Sequence, residues 1–492
     1  MVDGTQLPNR ATGDASGRRL WDKNEPLDAL IEQFTVGDDY HLDRALVAAD
    51  CVASLAHATM LAAIGVVTPA QLEELRAALL QALELAQRRA FSIERADEDG
   101  HTALERFLTQ RTVAGTRVHT GRSRNDQVMA ALRLYGREAL TEVQHSVLNL
   151  ADALFDFAAR YERSPMPGRT HTQVAMPSTL GVWAAAFAEE LLDDLALVAT
   201  CYRLTNRSPL GSAAGYGAPL PLDREQVAGL LGFEGPVHNV LTAANSRGKL
   251  EAATLDALDQ VAITVSRLAQ DLILFSLPEL GYVTLPVELC TGSSIMPHKR
   301  NPDGLELVRA RAASVSALSG AVKGIVRNLP SGYHRDLQET KRPYLTALDT
   351  VIGQVLVMTL TVERLQVSEA ALARSLTPEL YVTDAAFALV QQGVAFRDAY
   401  RQAADYRQAA QGNAVSGGND AGGEAPPAAG AALAARTATG TAGNLGLAGR
   451  RRLVVAERQR VTDDAARAAG ALTALMGRPV AVYRNPWRTT DA

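Results

Sequence analysis

The chain has 492 residues, 47% apolar and 5% aromatic, with 49 Lys+Arg against 54 Asp+Glu and a net charge of −5. That length suggests about three domains of roughly 150 residues and a core large enough to fold on its own. The slightly acidic balance argues against a nucleic-acid or anionic-membrane partner. Three scattered cysteines (Cys51, Cys201, Cys290) argue against a disulfide framework or a clustered zinc site and favour a reducing, cytoplasmic setting.

Few aromatics and much Ala and Leu favour helix packed on helix. No run of 18 apolar residues is free of charges, so no membrane span is expected. The N-terminus lacks an apolar stretch of the kind that marks a secretory signal. Shorter helices are predicted over 27–34, 43–64, 69–88 and 100–111. From 125 to 161, apolar residues recur every three or four positions without a proline. That pattern predicts one helix about 50 Å long, with Asn125 and Asp126 as candidate N-caps. Four more long patterns follow, over 178–206, 250–276, 302–328 and 343–367. Five long helices predict an elongated bundle, and their broad apolar faces predict oligomerisation through it. After the bundle, Thr377-Pro378-Glu379 reads as an N-cap with proline at the first helical position. Residues 407–450 are built from Ala, Gly and small polar residues and are expected to form mostly a flexible insertion. The fold class is therefore all-α in three regions: an N-terminal helical domain (1–121), a central five-helix bundle (122–376) and a small C-terminal helical domain (377–492) that carries the insertion.

Four polar segments lie between the helices. Arg122, Ser123, Arg124, Asn125 and Asp126 precede the longest helix. Read alone, they serve either as an anion site at a helix N-terminus or as a cap with salt-bridging arginines. Thr170 and His171 sit in a polar turn between Pro167 and Pro177 that is expected to open the next helix; imidazole titrates near neutrality and suits acid–base work. The run Gly292-Ser293-Ser294-Ile295-Met296-Pro297-His298-Lys299-Arg300-Asn301-Pro302 predicts a donor-rich loop able to close over a carboxylate, and it lacks the phosphate-binding P-loop pattern. Residues 331–342, with Tyr333, Gln338 and Lys341, read alone as a solvated charged turn.

Together these motifs resemble the fumarase/aspartase superfamily. The loop GSSIMPHKRNP resembles the superfamily signature. TGRSRNDQV, THTQ and GYHRDLQETK, with DEDGHTALERFL and VTDAAFALVQQGVAFRDAY, resemble the argininosuccinate lyases within it. The resemblance spans about 20–400, with a thinner echo at GTAGNLGL. It implies a homotetramer around a twenty-helix core, five helices per chain, with each site assembled from three subunits. It implies reversible β-elimination of argininosuccinate, a small-molecule substrate, to arginine and fumarate in arginine biosynthesis, with no metal or organic cofactor. By the same resemblance Ser293 takes the proton from Cβ and His171 protonates the leaving nitrogen with Glu306 as its acidic partner. Lys299 stabilises the carboxylate and carbanion, and Arg124, Asn125, Thr170, Asn301, Tyr333, Gln338 and Lys341 bind substrate. Gly37 departs from the pattern, standing where many members place a substrate-contacting serine. Two alternatives remain: a sister lyase that releases fumarate from another N-substituted aspartate or succinate, and a non-catalytic crystallin-like protein on the same scaffold.

Overall fold

A computed structural model describes residues 28–404 and 429–488. Five long helices dominate it: Arg124–Arg160, Leu180–Thr205, Lys249–Phe275, Asp303–Val326 and Lys341–Arg364, the first to fifth bundle helices below. Neighbours in sequence pack side by side, first on second and third on fourth, and the fifth helix closes against the first, third and fourth.

Local chemistry explains where these helices start and how they approach one another. The first begins one residue earlier than expected, because Ser123, not Asn125 or Asp126, is its N-cap. The Ser123 hydroxyl accepts the Asn125 N–H at 3.2 Å, and Asp126 Oδ1 accepts the Ser123 N–H at 2.9 Å, a reciprocal capping box. Gly136 in its middle lets the fifth helix cross closely, since a Cβ there would overlap the Tyr344 hydroxyl. Buried Arg137 sends its guanidinium to the carbonyls of Leu231 and Gly232, both at 2.9 Å. It thereby ties the bundle to the segment before the third helix. The stretch 335–364 is long and apolar enough to cross a membrane by composition, but 61% of that window is buried against neighbouring helices.

Two local expectations need correction, and one helix was not anticipated. Residues 173–179 do not begin the second helix. They pair with Pro165–Thr170 in an antiparallel hairpin whose two-residue turn is His171-Thr172, with φ of +52° and +62°. The low-complexity stretch is folded from Ala429 onward: Ala429–Ala434 is helical, Ala432 packs on Leu380 and Tyr381, and Arg436 pairs with Asp384 at 2.7 Å. The insertion's other residues, 407–428, lie outside the described residues. Finally, a 30-residue helix, Leu447–Met476, runs along the first bundle helix and against Val47–Ala63. Its buried Val454, Val461, Ala468, Leu472 and Leu475 mark a narrow apolar stripe, a weak signal in sequence. One continuous core thus runs from Leu46 to Tyr483.

Candidate active site

Five of the eleven expected site residues meet in one cleft. Arg124 and Asn125 come from the first turn of the first bundle helix. Tyr333, Gln338 and Lys341 come from the segment that leads into the fifth. The segment 331–333 is fixed by Asn245, whose side-chain oxygen accepts the Gly332 N–H at 2.8 Å. Arg247 then lies over the Tyr333 ring at 5.3 Å. Gln338 reaches the Thr35 carbonyl at 3.3 Å, as Arg335 does at 2.6 Å, joining the N-terminal helix Ala29–Val36 to the cleft.

The base of the cleft is ionic. Lys341 is buried between Asp43, at 2.5 Å, and Asp39, at 3.1 Å. Burial opposes its charge, but the two carboxylates outweigh that and raise its pKa above the ordinary lysine value. Asp39 moves up as well, because burial outweighs its attraction to Lys341. Arg124 pairs with Glu98 at 3.2 Å and Asp99 at 3.4 Å. Behind them His101 Nδ1 meets Asp50 at 2.8 Å, and Gln127 donates to the same carboxylate at 2.9 Å. Burial disfavours the charged form of His101, but Asp50 outweighs it and raises its pKa; Asp50 is correspondingly lowered, its burial outweighed by His101. Deeper still, Asp126 Oδ2 accepts from Gly211 and Ala213 at 3.1 and 2.9 Å, while burial lifts its pKa to about 6.

The other six expected residues lie elsewhere on the chain. Thr170 and His171 are exposed at the hairpin tip. Ser293, Lys299 and Asn301 belong to an excursion pinned at its base, where Thr291 and Asn301 exchange backbone hydrogen bonds at 3.1 and 2.9 Å. Within it, the Ser293 hydroxyl accepts the N–H groups of Met296 at 3.1 Å and Ile295 at 3.4 Å. The Lys299 side chain is exposed. Glu306 follows on the exposed face of the fourth bundle helix, and no bond joins it to His171 within one chain. The cleft encloses about 140 Å³, below the roughly 300–1,000 Å³ usual for small-molecule pockets. A single chain therefore assembles part of the expected constellation and leaves the rest facing outward.

Sequence reasoning missed Asp39, Asp43, Asp99, His101, Arg247 and Arg335 as lining residues. Asp99 and His101 lie inside DEDGHTALERFL, and Arg335 inside GYHRDLQETK. Asp39, Asp43 and Arg247 stand outside the motifs, where only the fold shows which groups they face. Gly37 caps the helix Ala29–Val36 at φ +53°, and a Cβ there would lie 3.7 Å from Gln338 Nε2. Backbone conformation, more than crowding, favours glycine at this position.

Comparison with known proteins places these features in a family. A family model described as "Lyase" matches residues 22–317. An argininosuccinate lyase of Thermotoga neapolitana is 42% identical over 388 residues, 79% of this chain and 98% of that one. One of Sorangium cellulosum is 47% identical over 391 residues, 78% of this chain and 90% of that one. Among solved structures, EDDS lyase in complex with formate superposes with a TM-score of 0.76 at 24% identity, covering 92% of this chain and 95% of that one. Class II fumarase from Schistosoma mansoni does so with 0.64 at 16% identity, covering 72% and 84%. At these identities the two structures speak for the fold alone.

Proposed function

The chain belongs to the argininosuccinate lyase family, and from that premise we infer that it catalyses the reversible β-elimination of argininosuccinate to arginine and fumarate. The observation that carries this reading is the cleft. Arg124, Asn125, Tyr333, Gln338 and Lys341, brought from segments about 200 residues apart in sequence, line it together with Arg247, Arg335, Asp39, Asp43 and Asp99. A substrate with several carboxylates and a guanidinium needs both signs of charge fixed in place before it arrives, and buried ion pairs hold them so.

Elimination removes a proton from the carbon beside a carboxylate, so an anionic group must take on a second negative charge. Lys299 and the N–H groups of the 292–299 loop are suited to receive that charge. Ser293 is assigned the proton abstraction: a hydroxyl is a weak base, and an adjacent cation lowers the cost of its alkoxide. His171, paired with Glu306, is assigned protonation of the leaving nitrogen. Thr170 and Asn301 flank these groups and are assigned to substrate binding.

These groups are exposed in one chain and the cleft is small, which supports a homotetramer with each site completed by residues of other chains and a twenty-helix core. The three regions 1–121, 122–376 and 377–492 are taken as its domains. Three free cysteines, two of them buried, are consistent with a reducing cytoplasm.

The activity is tested by following fumarate absorbance with purified protein and argininosuccinate, with adenylosuccinate and aspartate in parallel. Fumarate release from argininosuccinate alone is expected. Turnover of either other substrate in preference to it would overturn the assignment. Site sharing is tested by mixing His171→Asn and Asn125→Ala subunits after mild dissociation. Roughly one site in four should be rebuilt from undamaged parts by chance assortment in a symmetric assembly. Mixed tetramers seen by native mass spectrometry without recovered activity would exclude shared sites.

A further inference from the structure

Two large depressions lie outside the active cleft. One, of 1090 Å³, runs between the second bundle helix and the helix Leu447–Met476, and its arginines are largely spoken for. Arg450 pairs with Glu189 at 3.0 Å, and Arg460 pairs with Glu457 at 2.8 Å and Asp464 at 3.2 Å. The other, of 640 Å³, opens where the segment 41–48, the end of the helix Pro69–Gln87, the first and fifth bundle helices and the segment 481–486 meet. Among its lining residues, cationic side chains outnumber carboxylates.

His41, Arg44, Arg89 and Arg484 line this second cavity against one carboxylate, Asp349. The side chains of Arg44 and Arg89 form no hydrogen bond or ion pair with any described residue. Arg484 makes one bond, to the Gln87 carbonyl at 3.3 Å. Asp349 is already engaged, accepting from the Tyr483 hydroxyl at 3.1 Å. Phe91, Tyr135 and Tyr483 supply an aromatic wall, with Tyr135 and Tyr483 edge-to-face at 5.1 Å. Several like charges around one hollow repel one another unless an anion joins them.

Arg89 adds an independent observation. Its φ is +57°, in the left-handed region, two residues after the helix Pro69–Gln87 ends. Glycine commonly occupies such a position because it has no Cβ to strain. Here an arginine bears that strain, and it lines the cavity.

We propose that this cavity binds a small organic polyanion. Its carboxylate or phosphate groups lie among Arg44, Arg89 and Arg484, and its apolar part rests on Phe91, Tyr135 and Tyr483. Guanidinium forks match both kinds of oxyanion, and the volume falls within the usual range for small-molecule pockets. The site shares a short wall with the active cleft: Asp39 and Asp43 line the cleft, while His41 and Arg44, from the same segment, line the cavity. The inference does not rest on the lyase activity.

The test is calorimetric titration of the full-length assembled protein at low salt with inorganic pyrophosphate and, separately, with citrate, to distinguish phosphate from carboxylate ligands. At least one probe is expected to bind. Affinity should fall about tenfold or more in Arg44→Ala and in Arg89→Gly, as loss of one charge-assisted contact implies. Arg89→Gly should at the same time melt at a higher temperature, because the strain is relieved, so weakened binding in that variant is not unfolding. Arg247→Ala, in the active cleft, should leave this binding unchanged. Binding of neither probe below about 1 mM, unaltered affinity in either Arg44→Ala or Arg89→Gly, or loss of binding in Arg247→Ala would overturn the proposal.

Discussion

The cleft around Lys341 and the excursion around Ser293 are built on opposite plans. In and behind the cleft, the central charges have partners inside the chain: Lys341 has two carboxylates, Arg124 two, and Asp50 both His101 and Gln127. In the excursion, the bonds stay within 291–303, the cations point outward, and Ile295 is 83% exposed. In the proposed assignment the contrast separates binding from chemistry. Groups that must hold charge in place are set during folding, whereas groups that must approach the substrate stay free of the core. Substitutions in the first region should therefore register as stability, and in the second as rate.

Ser293→Ala offers the widest separation. Turnover should fall roughly 10²–10⁴-fold, the usual worth of a proton-transfer group, while stability stays within about 0.5 kcal/mol. Activity near the parent value, or a large drop in melting temperature, would break the division at its catalytic end. Lys341→Met should register chiefly as lost stability, about 3–5 kcal/mol, because Asp39 and Asp43 would remain buried without their cation. Denaturant unfolding measures this, and a loss under about 1 kcal/mol would mean the ion pairs are surface-like in strength.

Gly37→Ser puts a side chain on left-handed backbone beside Gln338 and should cost about 1–3 kcal/mol. An undiminished melting temperature would show that the turn can relax to accept a side chain.

The smallest effect is one of slope. His101 has its pKa raised by Asp50, so its contribution is full below the ordinary histidine value and fades as pH rises through the raised one. Asp50, lowered by His101, contributes above the ordinary carboxylate value and loses that contribution as pH falls through the lowered one. Between those limits the pair is intact. In Asp50→Asn the buried imidazole lacks its counter-charge and resists protonation, so melting temperature should fall as pH drops from about 8 to 6. The parent should hold or gain over the same range. Parallel profiles would show that Asp50 does not set the state of His101.

Much of this was legible before any coordinates. The five bundle helices fall within about three residues of their apolar periodicity, since long amphipathic runs without proline leave little choice. Motif resemblance names Arg124, Asn125, Tyr333, Gln338 and Lys341 among eleven candidates, although residues 331–342 read alone look like a solvated turn. Two things were hidden for physical reasons. His171-Thr172 lacks the Asn-Gly signature of a two-residue hairpin turn, and prolines flank it, so the hairpin looked like a helix approach. The helix Leu447–Met476 buries a narrow stripe beneath an arginine-rich surface, a weak signal beside the broad faces of the bundle. Asp43, Asp39 and Arg247 became part of the site only when tertiary packing set them beside Lys341 and Tyr333.

That late helix has a consequence for how the chain is made. Val454, Val461, Leu472 and Met476 enter the same core as the helices Val47–Ala63 and Pro69–Gln87, and Arg76 donates to the Leu475 carbonyl at 2.6 Å, 399 positions away. Further on, the Trp487 indole donates to the Asp349 carbonyl at 2.6 Å and occupies the space above Gly353. A nascent chain still short of Val454 has synthesised its whole N-terminal region with one wall missing. Contacts of such long sequence separation close slowly, and apolar surface left waiting for them is what aggregates or recruits chaperones. Completion of the core is thus tied to the synthesis of Leu447–Met476, almost 400 positions after the helices it covers.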